Sequence, residues 1–170
     1  LHPRKNIINL LKGFVKFKRR QRSKMKLVLA GRMAWQIKEI VEAKERMPFK
    51  EDVVWTGYLA IEELTALTGA AYAMVYPSLF EGFGIPIVEA MNCDVPVIVS
   101  NTSSMPEVGG EAALLVDPTS PDDIGEKMGT MYKDEVLRTK LIANARVQRQ
   151  LFNWDISASK LWEIIEETAS

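Results

Sequence analysis

The sequence has 170 residues, 47% apolar and 26% charged, a composition that predicts one globular domain able to fold without disulfides or a metal. Its single cysteine, Cys93, excludes an internal disulfide and favours a reducing cytoplasmic compartment. No apolar run approaches the ~20 residues of a membrane span, and no signal-peptide pattern is visible. The formal net charge is zero, but residues 1–38 contain 12 Lys or Arg and no acidic residue, which favours an anionic ligand, a membrane surface or nucleic acid near this segment.

Apolar residues at helical or strand-like spacing predict alternating elements along the chain. Asn6 is a plausible N-cap for a first helix that carries Ile7, Leu10, Leu11 and Phe14 on one face. The pattern then predicts helices at 34–44, 62–70 and 85–92, and helical structure after Pro121 with an interruption near 152–154. Short apolar runs predict strands at 26–31, 52–57, 72–77, 96–100 and 112–116.

Short buried strands that alternate with helices are typical of a parallel sheet covered on both faces. We therefore predict an α/β fold, a Rossmann-like three-layer α/β/α domain. In such sheets ligands bind beyond the carboxyl ends of the strands. The segments expected to carry function are those that follow strands, at 31–32, 57–58, 77–84 and 100–106.

The segment 78–89 combines a strand end, a glycine-bearing loop and the start of a helix. Gly82 and Gly84 permit a left-handed backbone and close approach to a ligand. The helix that follows presents free N–H groups and the positive end of its dipole, which suit a phosphate. Pro86 has no N–H, so Ile85 and Ile87 are the candidate diphosphate-binding amides.

Two carboxylates frame this helix start, Glu81 in the loop and Glu89 within the helix. A carboxylate accepts hydrogen bonds and can hold two neighbouring hydroxyls, so Glu81 could hold a sugar and Glu89 a ribose. From spacing alone, two solvated surface glutamates near a helix N-terminus are the simpler interpretation.

Longer motifs favour a functional role for these glutamates over a surface role. They include His2-Pro-Arg-Lys-Asn6, Tyr76-Pro-Ser78, Glu81-Gly-Phe-Gly-Ile-Pro-x-x-Glu-Ala90, Val95-Pro-Val-Ile98, Pro106-Glu-Val-x-Gly110 and Phe152-x-Trp154, and they span nearly the whole chain. In these segments, their order and their spacing, the sequence closely resembles the retaining glycosyltransferases of the GT-B fold, family 4 (glycosyl transferases group 1).

The resemblance implies roles for individual residues. Glu81 would contact the transferred sugar and is the candidate catalytic residue, and Glu89 would hold the nucleotide ribose. Arg4 and Lys5 would neutralise the donor diphosphate. The remaining donor contacts would come from the sugar-binding loop at Gly82, Phe83 and Gly84 and from the base-binding wall at Gly57 and Tyr58.

It also implies that the chain is the C-terminal, donor-binding half of a two-domain enzyme. Residues 1–151 would form the nucleotide-sugar-binding domain, and a helix at 152–170 would cross toward an N-terminal domain that binds a glycan or lipid-linked acceptor. The substrate would be a UDP- or GDP-linked sugar, with no cofactor; no metal is expected, and no Asp-x-Asp motif occurs. The enzyme would act in cytoplasmic polysaccharide synthesis, and it could contact the inner face of the membrane peripherally. It is not expected to bind nucleic acid. The chain alone is expected to be inactive.

Relatives carry a strand immediately before the segment that corresponds to 1–6. We therefore expect five parallel strands within this chain, with a hydrophobic slot where the first strand of the domain would lie. Two alternatives remain open. One is a GT-B-like sugar-nucleotide epimerase or hydrolase, and the other is a non-enzymatic binding module that uses the basic segment at 4–26.

Overall fold

The computed structural model describes residues 2–32 and 37–169. A 3-10 turn at Pro3–Lys5 precedes α1. The strands in the described residues are β1 (Leu27–Ala30), β2 (Val53–Gly57), β3 (Met74–Tyr76), β4 (Val97–Ser100) and β5 (Ala113–Val116). The helices are α1 (Ile7–Gln21), α2 (Lys38–Arg46), α3 (Ile61–Gly69), α4 (Ile85–Asn92), α5 (Met105–Gly109), α6 (Pro121–Lys133), α7 (Glu135–Gln148) and α8 (Trp154–Ala169).

All strand pairs among the described residues are parallel, and they form two sheets. β1 pairs with β2, and the second sheet has the order β3-β4-β5. β4 is buried along its whole length, and its alternate side chains enter opposite layers. Ile98 packs into the core beneath α1 and α6, whereas Val97 and Val99 pack toward α4 and α5. This confirms the predicted Rossmann-like three-layer α/β/α fold.

A slot of about 1060 Å³ separates the two sheets. Its walls are the facing strands β1 and β3, and apolar side chains of α1 such as Leu10 and Phe14 lie along it. Among the described residues no strand hydrogen bond joins the two sheets. The prediction of five parallel strands and a hydrophobic slot is therefore confirmed within residues 2–32 and 37–169.

The close packing of α1 against α6 places the start of α1 at the carboxyl edge of the sheet. A side chain at Gly13 would come within 2.7 Å of Ile124 Cγ2, and one at Gly125 within 2.7 Å of the Gly13 carbonyl oxygen. Glycine at these positions lets the two helix backbones approach each other. The basic residues that precede α1 are thereby brought to the ends of the strands.

The structure contains two features that the sequence did not predict. The segment at 100–106, for which no element was predicted, leads into the short helix α5. The helical region after Pro121 is broken at Asp134, whose side chain accepts a hydrogen bond from the Leu137 amide and so caps α7. The predicted helix at 34–44 is described only from Lys38 onward, and its residues 34–36 lie outside the described part of the chain.

The C-terminal helix α8 stands apart from the core. All of its described side chains, from Trp154 to Thr168, are exposed. Apolar side chains among them include Leu161, Trp162 and Ile164, which are 59–61% exposed. The chain enters this helix through Phe152, whose ring packs edge-on against Phe83 at a centroid distance of 5.5 Å.

Candidate functional site

The basic turn before α1 is joined to the loop that follows β3. The Leu79 amide donates a 2.8 Å hydrogen bond to the Arg4 carbonyl oxygen. Arg4 and Lys5 are therefore held beside the segment that carries Glu81, although 76 residues or more separate them along the chain. The structure brings together two of the regions that sequence analysis selected.

Asn6 has a different role from the one predicted. It occupies the N-cap position of α1, but its side chain does not cap the helix. The side-chain amide instead donates to the carbonyl oxygens of Pro77 at 2.9 Å and Pro118 at 2.6 Å. Its backbone is left-handed, with a φ of 59°. Asn6 therefore ties the basic turn to the ends of β3 and β5.

Asn6→Ala is expected to lower the free energy of unfolding by about 2 kcal/mol. Two carbonyl oxygens would lose a donor, and alanine would be forced into a left-handed conformation. Asn9→Ala is the matched control, because Asn9 donates a single 3.1 Å bond to the Pro118 carbonyl oxygen; its cost should stay below about 1 kcal/mol. Urea unfolding of both variants measures the difference, and equal losses would contradict the proposed tie.

Glu81 lies at the centre of a cluster of four polar side chains. Its Oε1 is 2.8 Å from Lys5 Nζ and accepts a 3.0 Å hydrogen bond from Tyr76 Oη. Its Oε2 pairs with Arg4 Nη1, and Lys5 Nζ also donates to Tyr76 Oη. The Glu81 side chain is only 8% exposed. The carboxylate is buried but fully paired.

These contacts determine the ionisation of Glu81. Burial by itself would raise the pKa of the carboxyl, but hydrogen bonds from Lys5, Arg4 and Tyr76 outweigh burial and lower the pKa to about 2. The Ser78 hydroxyl acts in the same direction, although it lacks the geometry of a full hydrogen bond. Glu81 is therefore an anion at neutral pH. It can accept hydrogen bonds from hydroxyls but has no proton to donate.

The loop that follows Glu81 is held by two serines from the segment after β4. The Ser103 hydroxyl donates to the Glu81 carbonyl oxygen and accepts from the Glu81 amide. The Ser104 hydroxyl contacts the carbonyl oxygens of Glu81 at 3.1 Å and Phe83 at 2.8 Å. The segment at 100–106 was expected to carry function, but no role was predicted for these serines. Clustered serines after a strand were the available signal, and nothing local showed which loop they would contact.

The two predicted loop glycines behave differently. Gly84 has a φ of 104°, which favours glycine, and it is the N-cap of α4. Gly82 is exposed and is not among the glycines with a positive φ, but a side chain there would meet no atom within 4 Å. The open space next to its backbone leaves room for a ligand. Phe83 lies between them, 45% exposed and packed on Phe152.

Of the two amides predicted to bind a diphosphate, one is already used. The Ile87 amide donates a 2.9 Å hydrogen bond to the Gly84 carbonyl oxygen, and the Ile87 side chain is fully buried. The expectation that this N–H is free is therefore wrong. Within the described residues the Ile85 amide has no hydrogen-bond partner, so Ile85 is the better candidate at the amino end of α4.

Glu89 lies on α4 and is exposed. It lines the slot between the sheets, as do Lys5, Tyr76 and Gly31. The carboxylate of Glu89 is thus placed at the same edge of the fold as the Glu81 cluster but makes no hydrogen bond or ion pair within the described residues. It is available to a ligand.

Gly57 and Tyr58 lie at the carboxyl end of β2. Gly57 has a φ of 73°, and its carbonyl oxygen accepts a 2.9 Å hydrogen bond from the Gly31 amide at the end of β1. Tyr58 is 67% exposed, and the Arg32 guanidinium lies 4.4 Å from the centre of its ring. Gly57 and Tyr58 therefore form an exposed surface beyond the end of β2, on the side of the slot opposite Glu81.

The family model of glycosyl transferases group 1 matches residues 1–148. The chain belongs to the group 1 glycosyltransferases.

Named relatives of this glycosyltransferase chain include mannosyltransferases. O-antigen chain mannosyltransferase B from Escherichia coli is 37% identical over 155 residues, which are 91% of this chain and 41% of that protein. Serotype-specific mannosyltransferase WbdA, also from Escherichia coli, is 32% identical over 156 residues, which are 91% of this chain and 19% of that protein.

Solved structures show the same fold. Sucrose-phosphate synthase from Thermosynechococcus elongatus has a TM-score of 0.81 and 27% identity, over 99% of this chain and 44% of that one. Anabaena Alr3699/HepE in complex with UDP has a TM-score of 0.86 and 21% identity, over 98% of this chain and 46% of that one. The chain spans less than half the length of each of these four proteins.

Two features are absent from the described residues of this group 1 glycosyltransferase chain. No helix in residues 2–32 and 37–169 is long and apolar enough to cross a membrane. Within the same ranges no three His, Cys, Asp or Glu side chains cluster in a way that could hold a metal ion.

Proposed function

We propose that this chain is the donor-binding half of a retaining, family 4 glycosyltransferase that transfers a hexose from a UDP- or GDP-linked nucleotide to a hydroxyl group. The observation that carries the proposal is the convergence of Arg4, Lys5 and Glu81 in front of the amino end of α4. The names of the relatives support a mannosyl donor. The UDP complex of the fold neighbour supports a nucleotide ligand.

The chemistry of the cluster suits the departure of a nucleoside diphosphate. Breaking the bond between the sugar and the phosphate builds negative charge on the leaving group. Arg4, Lys5 and the free Ile85 amide would stabilise that negative charge, and the positive end of the α4 dipole would stabilise it further. These groups need no metal ion for this task, and we propose that none takes part.

Glu81 would bind hydroxyls of the transferred sugar rather than donate a proton, because its low pKa keeps it ionised. The open space beside the Gly82 backbone would let the sugar lie against the loop. Glu89 would accept hydrogen bonds from the two ribose hydroxyls. The base would lie across the slot at Gly57 and Tyr58.

The acceptor site is proposed to lie in another part of the enzyme. The exposed apolar side chains of α8 would pack against that part, because a helix this apolar is rarely left in water. A glycan or lipid-linked acceptor would then meet the donor between the two halves. By itself the chain is proposed to bind the donor without transferring it. We propose a cytoplasmic enzyme, with peripheral contact to the membrane where the acceptor is lipid-linked.

The most direct test is a binding panel with UDP, GDP, UDP-glucose and GDP-mannose, measured by thermal shift and calorimetry. A selective rise in the unfolding temperature with one nucleotide would identify the donor base, because a ligand that binds only the folded state stabilises it. A chain that binds none of the four at millimolar concentration would contradict the proposal.

Glu89→Ala is expected to weaken binding of the preferred nucleoside diphosphate by about tenfold or more, because charge-assisted hydrogen bonds to the ribose would be lost. Glu126→Ala, on the exposed surface of α6, is the matched control and should leave binding unchanged. Titration calorimetry compares the two variants with the parent. Unchanged affinity in Glu89→Ala would remove the ribose assignment while leaving the rest of the site in place.

A further inference from the structure

The Tyr76 hydroxyl contacts both Lys5 and Glu81, and the proposed function gives it no role. Tyr76 is the last residue of β3, and its ring is half-buried. Its hydroxyl lies 3.0 Å from Glu81 Oε1 and within hydrogen-bond reach of Lys5 Nζ. The hydroxyl therefore bridges the cation expected to bind the diphosphate and the carboxylate expected to bind the sugar.

The direction of both hydrogen bonds follows from the inventory of donors. The Lys5 ammonium has only donors, and the ionised Glu81 carboxylate has only acceptors. The single hydrogen of the Tyr76 hydroxyl must therefore point to Glu81, while one of its lone pairs accepts from Lys5. The Tyr76 hydroxyl is thus a neutral donor with a full hydrogen bond to the Glu81 carboxylate, whereas the neighbouring Ser78 hydroxyl lacks that geometry.

The hydrogen bond from Tyr76 to Glu81 becomes important when a diphosphate binds. Without a ligand, Arg4 and Lys5 are both paired with Glu81. A diphosphate carries more charge than the carboxylate and competes for the same two cations. Glu81 would then lose its charged partners while remaining buried, a costly state unless another donor holds it. Tyr76 is anchored in β3, so it can hold Glu81 after the cations turn to the phosphates.

We infer that Tyr76 is a positioning residue that keeps the Glu81 carboxylate aimed at the donor sugar when Arg4 and Lys5 engage the diphosphate. The inference rests on the proposed function. It predicts that the hydroxyl contributes to recognition of the sugar part of the donor and not of the nucleotide part.

The test is Tyr76→Phe, which keeps the ring and removes only the hydroxyl. Calorimetry gives the affinities of the preferred nucleoside diphosphate and of its sugar conjugate. The affinity for the sugar conjugate should fall about tenfold, because that is the change expected from the loss of one hydrogen bond to a charged group. The affinity for the free diphosphate should change less than twofold. The ratio of the two dissociation constants is the readout, because a purely structural loss would weaken both ligands together.

Tyr72→Phe is the matched control. The Tyr72 hydroxyl also contacts a carboxylate, Glu135 at 3.2 Å, but this pair lies at the α6–α7 junction and not in the site. Neither affinity should change in this variant. Far-ultraviolet circular dichroism and thermal unfolding confirm that both variants are folded.

A second measurement does not depend on any ligand. Carbon-13 NMR titration of the Glu81 carboxyl should show a higher pKa in Tyr76→Phe than in the parent, since one hydrogen bond to the ionised form is lost. An unchanged pKa, or an unchanged ratio of dissociation constants in a chain that binds both ligands, would overturn the role of Tyr76. A parent chain that binds no nucleotide while the pKa shift is present would overturn the proposed function instead, and the role in sugar recognition with it.

Discussion

Lys5→Met is expected to lower the free energy of unfolding by about 3 kcal/mol. The change keeps much of the side chain's bulk but removes the ammonium group that lies 2.8 Å from Glu81 Oε1. The carboxylate is 8% exposed and would be left with Arg4 and Tyr76 as partners. Breaking a buried ion pair from one side is costly because the remaining charge stays out of water.

The origin of this loss is checked by a second substitution. The double variant Lys5→Met/Glu81→Gln should recover most of the lost stability, because it removes the buried charge together with its partner. Lys50→Met is the control: Lys50 pairs with Glu45 at 3.0 Å, but both side chains are exposed, and urea unfolding should show no measurable change. If Glu81→Gln does not restore the free energy of unfolding that Lys5→Met loses, then packing and not charge stabilises the turn.

The second large effect is expected in the dependence of stability on pH. The pKa of Glu81 is lowered from 4.5 to about 2 in the folded protein. A lowered pKa contributes stability that is fully present above pH 4.5 and is lost as the pH falls from about 4.5 toward about 2. The contribution of this one carboxylate is at most about 3 kcal/mol.

Urea unfolding of the parent and of Glu81→Gln between pH 3 and pH 7 isolates this contribution. The difference in free energy between the two proteins should be constant above about pH 5 and should shrink toward pH 3. Asp94→Asn serves for comparison, because Arg146 and Arg149 lower the pKa of Asp94 on an exposed surface, where solvent weakens the interaction. A difference for Glu81→Gln that does not vary with pH would contradict the assigned pairing.

Much of the fold followed from local patterns. The helix predicted at 85–92 is α4, residue for residue, because Gly84 sets its start and the apolar face is continuous. The strand predicted at 96–100 contains β4 because four consecutive apolar or small residues suit a strand buried on both faces. The helix α5 was missed because its five residues are too few to show a helical period, and because Pro106 and Gly109 suggest a loop.

The candidate site was predicted in composition but not in arrangement. Glu81, Glu89, Arg4 and Lys5 could be selected because family motifs carry them. Asn6 was assigned to a helix cap, since its position before an apolar helix is the usual signal for one. Its real partners, Pro77 and Pro118, are 71 and 112 residues away. A local pattern contains no information on partners at that separation.

The sequence by itself determined the order of elements, the family and the residues that carry charge at the ends of the strands, because periodicity, glycine positions and motif spacing are local properties of the chain. Only the tertiary structure decided that Arg4, Lys5 and Tyr76 share one carboxylate and that the Ile87 amide is already used. The physical reason is that hydrogen bonding and burial depend on distances between residues far apart in sequence. Packing of the helices and sheets sets those distances.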